Sequence, residues 1–408
     1  MFTATADMVL PTTVTGSWPR PRWFDARLDG RALSTAMKDV VLREQLTDGL
    51  AVLLDDQERA GLDILTHGDY FHDEDLGGHQ WHRYPLERWR GLKGDYSRIS
   101  DELPTFESGS ILNEVFGGWR WPKVVGKIEP NEDLPLEYSK IWRLTQARTT
   151  KPVKFGVVCA QGLHPLLEVV EGYDPENRRE LIWDLATAMN QELRMLVASG
   201  CKVIQIEEPL LHYLATFHPE QTEQIDFLVD AFNHEVSGLE DVEVWVHTCW
   251  GNPNMQRAVE NVSYANSVEV YMERLNADVW TIEATEHPEE LKLLEPYKGT
   301  SKKKIAIGAV SHRMLQVETP DNVAALAREA LKYIEPENLI LSSDCGFGRA
   351  GNNRMIAFYK SVSLSLGANL VRGELGLDQQ YVPAADPQLQ VDVLEKPDAS
   401  KLFAGLNG

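Results

Sequence analysis

The sequence predicts an α/β protein, a (β/α)8 TIM barrel with a long insertion after the second strand. From residue 150 onward, short β-branched runs alternate with longer amphipathic runs, as parallel strands and their covering helices do. Two more strand patterns precede residue 150, which brings the count to eight. Polar side chains follow these strands at their carboxyl ends, where such barrels place their chemistry. We therefore predict one barrel over residues 1–408 with one functional mouth.

Each element is predicted from its own pattern of apolar residues. The strands are expected at 12–16, 63–67, 153–159, 202–207, 242–247, 278–283, 305–310 and 339–342. Helices are expected at 33–61, 178–199, 221–235, 288–295, 319–334 and 352–363. Residues 70–150 interrupt this rhythm and hold five tryptophans, so we predict a lid or cap over the barrel mouth. A dimerisation arm is the alternative for this insertion, and the oligomeric state stays open.

Composition limits the classes of partner. A formal net charge of −22 argues against a nucleic-acid partner, because a polyanion would be repelled. No run of about 18 apolar residues is present, so no membrane span is expected. The first residues lack the basic and apolar pattern of a secretory signal. Four widely spaced cysteines do not form a disulfide framework, and free thiols favour a cytoplasmic location.

A His-x-Cys pair, His247 and Cys249, ends the fifth predicted strand. Side chains two residues apart on a strand point to the same face, so the imidazole and the thiol can act together. With one distant cysteine, such as Cys345, and one carboxylate, they would complete a zinc shell of nitrogen, sulfur and oxygen ligands. The alternative is that both cysteines are small buried hydrophobic residues and His247 is a strand-end histidine with satisfied hydrogen bonds.

Six short motifs, in order along the chain, resemble the C-terminal catalytic barrel of the cobalamin-independent methionine synthase family. They are Gly16-Ser-Trp-Pro19, His67-Gly-Asp69, Gln205-Ile-Glu-Glu-Pro209, His247-Thr-Cys249, Asp278-Val-Trp-Thr-Ile-Glu283 and Asp344-Cys-Gly346. The resemblance implies that zinc is held by His247, Cys249, Glu283 and Cys345. It further implies that Gly16 and Ser17 hold the carboxylate of an amino-acid substrate, Asp69 and Glu207 hold its ammonium group, and His312 donates a proton.

Three positions depart from the family pattern. Asp69 stands where the family usually has glutamate, and Glu207 stands where it usually has aspartate. The family's folate-stacking tryptophan after the third strand has no counterpart in residues 159–167. The methyl donor is therefore left open between a folate, a methyl-corrinoid protein and another activated methyl compound.

Three hypotheses about function follow. The first is a zinc-dependent methyltransferase that converts homocysteine, a small-molecule thiol, to methionine. The second is a zinc enzyme that opens epoxides with the thiol of coenzyme M. Its sulfonate would need cations, which the insertion could supply from His79, His82, Arg83, Arg88 and Arg90. The third is a barrel that binds or senses a thiol without turnover. Acidic residues at 69 and 207 favour a thiol that carries an ammonium group, and so the first hypothesis.

Overall fold

The computed structural model describes residues 2–74, 78–98, 106–117, 119–259, 262–349 and 352–389. Its strands are β1 (Leu65–Thr66), β2 (Arg90–Arg98), β3 (Arg120–Glu129), β4 (Val153–Val158), β5 (Glu168–Glu171), β6 (Val203–Glu207), β7 (Glu243–Thr248), β8 (Val279–Ile282), β9 (Lys304–Val310) and β10 (Leu339–Ser343). Its α-helices are α1 (Leu33–Ala36), α2 (Val40–Arg59), α3 (Gln80–Leu86), α4 (Ile111–Gly117), α5 (Tyr138–Gln146), α6 (Arg179–Ala198), α7 (Pro209–Phe217), α8 (Thr222–Glu235), α9 (Pro320–Ala330) and α10 (Arg354–Glu374).

Seven parallel strands form the central sheet in the order β1-β4-β6-β7-β8-β9-β10. The first predicted strand lies between the two outer strands of this sheet and closes it. Thr12 bridges Leu341 of β10 in parallel register, and Ser17 bridges Gly68 just beyond β1. The Thr13 N–H donates to the Leu341 carbonyl at 3.0 Å, and the Ile64 N–H donates to the Thr12 carbonyl at 3.1 Å. The predicted α/β barrel is confirmed, with bridge-like pairing at its first strand.

The segment before the first barrel strand covers the floor of the barrel. Phe2, Ala4 and Met8 pack against a buried layer at the amino ends of the strands, which includes Trp245. The buried carboxylate of Glu243 accepts the N–H groups of residues 3, 4 and 5 at 2.7–2.8 Å. These bonds satisfy backbone donors that would otherwise be buried unpaired. The barrel is therefore filled at this end, and its carboxyl-end mouth lies opposite.

Helices cover the outside of the sheet, and several begin at sequence signals for helix starts. α9 begins at a capping box, in which the Thr319 side chain accepts the Asn322 N–H and the Asn322 side chain accepts the Thr319 N–H. Pro320 occupies the first turn of this helix. α6 packs on α5 and α8, and α10 packs on α9 and α2. Among the described helices, none combines the length and apolar character needed to cross a bilayer.

Three helix predictions were wrong in detail. The predicted helix 33–61 is broken into α1 and α2, because Asp39 caps a new helix by accepting the Val41 and Leu42 N–H groups. The predicted helix 288–295 is a 3-10 helix, Pro288–Tyr297, in which Pro296 cannot donate a backbone hydrogen bond. The predicted helix 352–363 continues to Glu374 as α10.

The insertion after the second barrel strand builds a small sheet of its own. β2 and β3 pair antiparallel, and β5, which follows barrel strand β4, adds to β3 in parallel. Trp121 and Trp119 are buried and pack edge-to-face beside His79 in an aromatic cluster. Residues 75–77, 99–105 and 118 of the predicted insertion lie outside the described residues. The insertion thus has a core of its own, and β5 joins it from outside the predicted bounds.

Candidate metal centre and substrate cavity

Two thiols and an imidazole meet at the barrel mouth. His247 lies near the end of β7, Cys249 follows that strand, and Cys345 follows β10. One ligand atom from each residue lies within 4.8 Å of the other two, and the two sulfur atoms are 3.8 Å apart. All three side chains are buried. All parallel strands of a closed barrel end at the same mouth, which explains how residues 96 positions apart converge from the non-adjacent strands β7 and β10.

The electrostatics of this cluster favour a thiolate. The pKa of Cys345 lies well below its ordinary value because its sulfur is hydrogen-bonded to Cys249, and His247 adds to this effect. The pKa of Cys249 is correspondingly raised well above its ordinary value by the same contact and by burial. Burial alone would lower the pKa of His247, but the neighbouring Glu207 and Cys345 raise it. The buried imidazole lies beside the Cys345 sulfur and 3.4 Å from the Glu207 carboxylate, and neither ring nitrogen has well-aligned hydrogen-bond geometry to a described residue. A nitrogen and two sulfur donors of this kind suit Zn²⁺.

Glu283, the predicted fourth ligand, lies beside the cluster and is not a member of it. Its carboxylate forms a two-pronged ion pair with Arg313, at 2.7 Å from Nη1 and 2.9 Å from Nη2. The Trp250 N–H also donates to it, at 3.2 Å. Burial raises the pKa of Glu283 to about 7, although Arg313 acts in the opposite direction. Ligation by Glu283 stays a prediction.

Glu207 and Asp69 lie close enough to influence each other. The Glu207 carboxylate is 3.4 Å from His247 Nε2, and Gln205 donates to its other oxygen at 2.7 Å. Burial raises the pKa of Glu207 to about 7, against the effect of His247, and Asp69 contributes to the increase. Burial also raises the pKa of Asp69, although His67 and Arg349 oppose it. A cation placed between these two carboxylates would stabilise both in their charged form.

Gly16 and Ser17 lie at the edge of the same region. A Cβ atom at Gly16 would be 4.0 Å from Asp69 Oδ2, so Gly16 and the carboxylate are neighbours at ordinary contact distance. The Ser17 hydroxyl accepts the Gly348 N–H at 3.1 Å, and the Ser17 carbonyl accepts the Phe347 N–H at 2.9 Å. Asp69 itself has a φ of +60°, an uncommon left-handed conformation that turns the chain at the mouth. Ser17 thus also fixes the loop that carries Cys345.

His312 is fully buried after β9, and both of its ring nitrogens lack hydrogen-bond partners among the described residues. Burial lowers its pKa to about 3, although the nearby Cys345 acts in the opposite direction. The imidazole is therefore neutral at pH 7. In this form it can donate one hydrogen bond and accept another.

A cavity of about 680 Å³ opens from Ser17 and Asp69 towards the surface. Its walls come from the loop after the first barrel strand, the start of the insertion and the start of α10. Its aromatic lining consists of Trp18, Trp23, Trp81 and Phe358, and its arginines are Arg20, Arg22, Arg59, Arg349 and Arg354. Arg354 is paired with Asp56. Within the described residues, the side chains of Arg22 and Arg349 make no hydrogen bond or ion pair, and Arg349 acts electrostatically on the Asp69 carboxyl.

Sequence reasoning assigned no role to three side chains that shape the site. Arg313 pairs with Glu283. The feature of the sequence that could have identified Arg313 is its position next to His312, just after a predicted strand. Lys154 lies inside the barrel and donates to Gln205, which in turn holds Glu207. A lysine within an apolar strand was an available signal for it. Asp344 accepts the Ala284 and Thr285 N–H groups at 2.9 and 3.2 Å, which fixes the backbone after Glu283.

The chain matches known proteins over most of its length. Residues 115–362 match the family model described as "Cobalamin-independent synthase, Catalytic domain". A methionine synthase from Saccharolobus solfataricus is 28% identical over 369 residues, which cover 90% of this chain and 96% of the relative. One from Sulfurisphaera tokodaii is 28% identical over 372 residues, covering 90% and 94%.

Solved structures agree on the fold. A B12-independent methionine synthase from Shewanella sp. W3-18-1, in complex with selenomethionine, superposes with a TM-score of 0.69 at 23% identity, covering 90% of this chain and 99% of that one. A protein from Listeria monocytogenes described as a putative vitamin-B12 independent methionine synthase gives a TM-score of 0.61 at 18% identity, covering 90% and 99%. The family match spans more than half of the chain, and the predicted resemblance is confirmed: this chain belongs to the cobalamin-independent methionine synthase family, in its catalytic-domain part.

Proposed function

We propose that this protein transfers a methyl group to the sulfur of homocysteine and so forms methionine. The observation that carries the proposal is the buried cluster of His247, Cys249 and Cys345 at the barrel mouth. Membership of the family supports it, as do relatives named methionine synthase that align over nearly their whole length.

Zn²⁺ fits the donor set of this cluster. Two thiol sulfurs lie beside the buried imidazole of His247, whose ring nitrogens make no well-aligned hydrogen bond to a described residue. We propose His247, Cys249 and Cys345 as three ligands and Glu283 as the fourth. When bound, the metal lowers the pKa of a substrate thiol, so that its sulfur is nucleophilic at neutral pH.

The remaining site residues would recognise and orient homocysteine. Asp69 and Glu207 hold its ammonium group, and Gly16 and Ser17 hold its carboxylate through backbone and hydroxyl donors. The sulfur then forms a bond to the methyl carbon as the bond from that carbon to the donor breaks. The donor atom keeps the electron pair of the broken bond. A donor nitrogen would take up one proton, which balances the proton that the substrate thiol releases on ionising, whereas a corrinoid donor would need none. His312, neutral and buried nearby, presents a ring N–H to that atom and orients the donor.

The cavity beyond Ser17 and Asp69 is our proposed site for the methyl donor. Its aromatic walls suit a flat ring. Arg22 and Arg349 suit anionic groups, beside the carboxylates of Asp69, Asp73 and Glu74 that also line the cavity. Both a folate and the exposed part of a corrinoid meet this description. Gly78, Gln80 and Trp81 make the start of the insertion one wall of the cavity, so we propose that the insertion acts as its lid.

The structure gives less support to the alternative functions. His79, His82, Arg83, Arg88 and Arg90, which would bind the sulfonate of coenzyme M, do not line the cavity. Arg88 is buried, stacks on Tyr84 and donates to backbone carbonyls. A thiol-binding protein without turnover would not need a cavity for a second substrate beside the thiol site.

The test is methyl transfer together with metal content. Zinc-loaded protein is incubated with homocysteine and, in separate reactions, a methyl-folate and a methylcobalamin, and methionine is measured by mass spectrometry. We expect about one zinc per chain, with Cys249→Ser and Cys345→Ser each losing both zinc and turnover. Cys201→Ser is the matched control, because Cys201 is buried elsewhere and should leave both unchanged. Full zinc in either site variant would contradict the ligand assignment, and methionine from neither donor would contradict the function.

A further inference from the structure

The carboxylate of Glu283 is bound by a set of hydrogen-bond donors. Arg313 approaches both of its oxygens, and the Trp250 N–H donates to one of them. The guanidinium is itself anchored, since Nη2 also donates to the Gly251 carbonyl at 2.6 Å. Both side chains of the ion pair are more than nine-tenths buried. A buried arginine-carboxylate pair of this geometry is strong and directional.

The backbone around Glu283 is held in place, so its side chain is the part that can move. The Glu283 N–H donates to the Tyr264 hydroxyl at 3.1 Å. Asp344 accepts the next two N–H groups, at 2.9 and 3.2 Å. By rotating its side chain on this fixed backbone, Glu283 can place its carboxylate against either of two partners, the proposed metal or Arg313.

We propose that Arg313 is the receiving site for the Glu283 carboxylate when the substrate thiol takes the place of that carboxylate at the metal. This inference rests on the proposed function. Charge balance supports it. Two cysteine thiolates, one carboxylate and neutral His247 around Zn²⁺ give a net charge of about −1. Adding a substrate thiolate would bring the site to about −2 in a buried environment. Transfer of Glu283 to Arg313 restores −1 and leaves a neutral ion pair.

Arg313 is thus a positioning residue whose loss has a particular signature. In Arg313→Met the carboxylate has no competing partner, so we expect zinc affinity to rise by about 10-fold or more. The affinity for homocysteine should fall by about 10- to 100-fold, because the displaced carboxylate would be buried without a cation. A merely structural role would lower both affinities together. Arg313→Lys keeps the charge and should lie between wild type and Arg313→Met.

The experiment measures zinc affinity by chelator competition and homocysteine affinity by calorimetry, on full-length protein. Arg328→Met, which breaks an exposed pair with Glu374, is the control and should change neither. In a Glu283→Gln background, Arg313→Met should no longer affect homocysteine. X-ray absorption of the zinc-loaded wild type supplies a readout that needs no variant: homocysteine should replace one oxygen ligand with sulfur.

The outcomes separate this inference from the proposed function. Wild-type protein that binds zinc but no homocysteine would overturn the proposed function, and the exchange with it. Homocysteine binding with the oxygen ligand retained on zinc would overturn the exchange alone. The same conclusion would follow if zinc affinity fell in Arg313→Met. If that variant does not fold, Arg313→Lys and the wild-type absorption spectra decide the question.

Discussion

Burial raises the pKa values of Asp69 and Glu207 and so makes their carboxylates costly to ionise. A cationic group bound between them would offset this cost by stabilising both charged forms. We predict that Asp69→Asn and Glu207→Gln each weaken homocysteine binding by about 10- to 100-fold, as the loss of a buried charge-assisted hydrogen bond would. Titration calorimetry measures the affinity, and zinc content should stay near one per chain. Glu223→Gln, at an exposed position, is the control. Unchanged affinity in both site variants would remove the ammonium assignment.

Arg349 and Arg22 present cations to the cavity and form no ion pair among the described residues, although Arg349 lies near enough to Asp69 to lower the pKa of that carboxyl. We predict that Arg349→Gln raises the KM of an anionic methyl donor by about 10-fold, with a smaller increase for Arg22→Gln. The KM of homocysteine should change less than that of the donor, since Arg349 acts on homocysteine only through its effect on the Asp69 carboxyl. Steady-state kinetics at saturating homocysteine measures the effect, and Arg328→Gln serves as the surface control. If both donor KM values stay at the wild-type level, the donor binds elsewhere or carries no anionic group that matters.

At this scale, residues were predictable when a short motif or a strand end carried the signal. His247, Cys249 and Cys345 were identified in this way, and the structure brings them together. The ion-pair partner of Glu283 was not predicted, because Arg313 lies 30 positions away and nothing in the local sequence indicates that the two residues pair. Lys154 stood out as a lysine within an apolar strand, but its partner Gln205 was not predictable, because their contact depends on the register of neighbouring strands.

The helix α8 ends in a buried acid that makes protein stability depend on pH. Glu235 accepts the Ala160 N–H at 2.9 Å, and burial raises its pKa from 4.5 to about 8. The folded protein therefore keeps a proton that the unfolded chain releases above about pH 4.5. Stability from this group is complete below that pH and is lost as the pH rises to about 8.

Replacing this acid should flatten the pH profile. In Glu235→Gln we expect the free energy of unfolding, relative to wild type, to rise between about pH 5 and 8 by up to about 1.4 kcal/mol per pH unit. Urea denaturation at four pH values measures the difference. Glu240→Gln, at an exposed position in the following loop, should follow the wild-type profile. Parallel profiles for Glu235→Gln and wild type would show that this acid is ionised in the folded protein.

Strands were more predictable than helix boundaries in this chain. A buried parallel strand needs apolar residues on both faces, and that requirement is visible in β4, β6 and β9. The break between α1 and α2 depends on the capping bonds of Asp39, which the apolar periodicity conceals. β5 escaped prediction because it is largely exposed and pairs with β3, a strand more than forty residues before it.

Over the whole molecule, the sequence predicted which residues line the barrel mouth, but it did not predict how the strands of the insertion pair. Polar residues at the ends of seven of the eight strands identify one functional face, because the barrel topology alone brings them together. No comparable topological rule predicts how the strands of the insertion are ordered. Its sheet is assembled from strands on both sides of β4, and its tryptophans fill a core as well as one wall of the cavity.

Closure of the barrel has a consequence for how this protein is made. The segment that seals the sheet hydrogen-bonds to Ser343, 328 residues further along the chain. At about 5–20 residues per second, a ribosome needs roughly tens of seconds between synthesising the two partners. During that interval the nascent sheet has open edges, which are prone to pair with other chains. We therefore expect newly made chains to depend on chaperones, and chains truncated before β10 to aggregate.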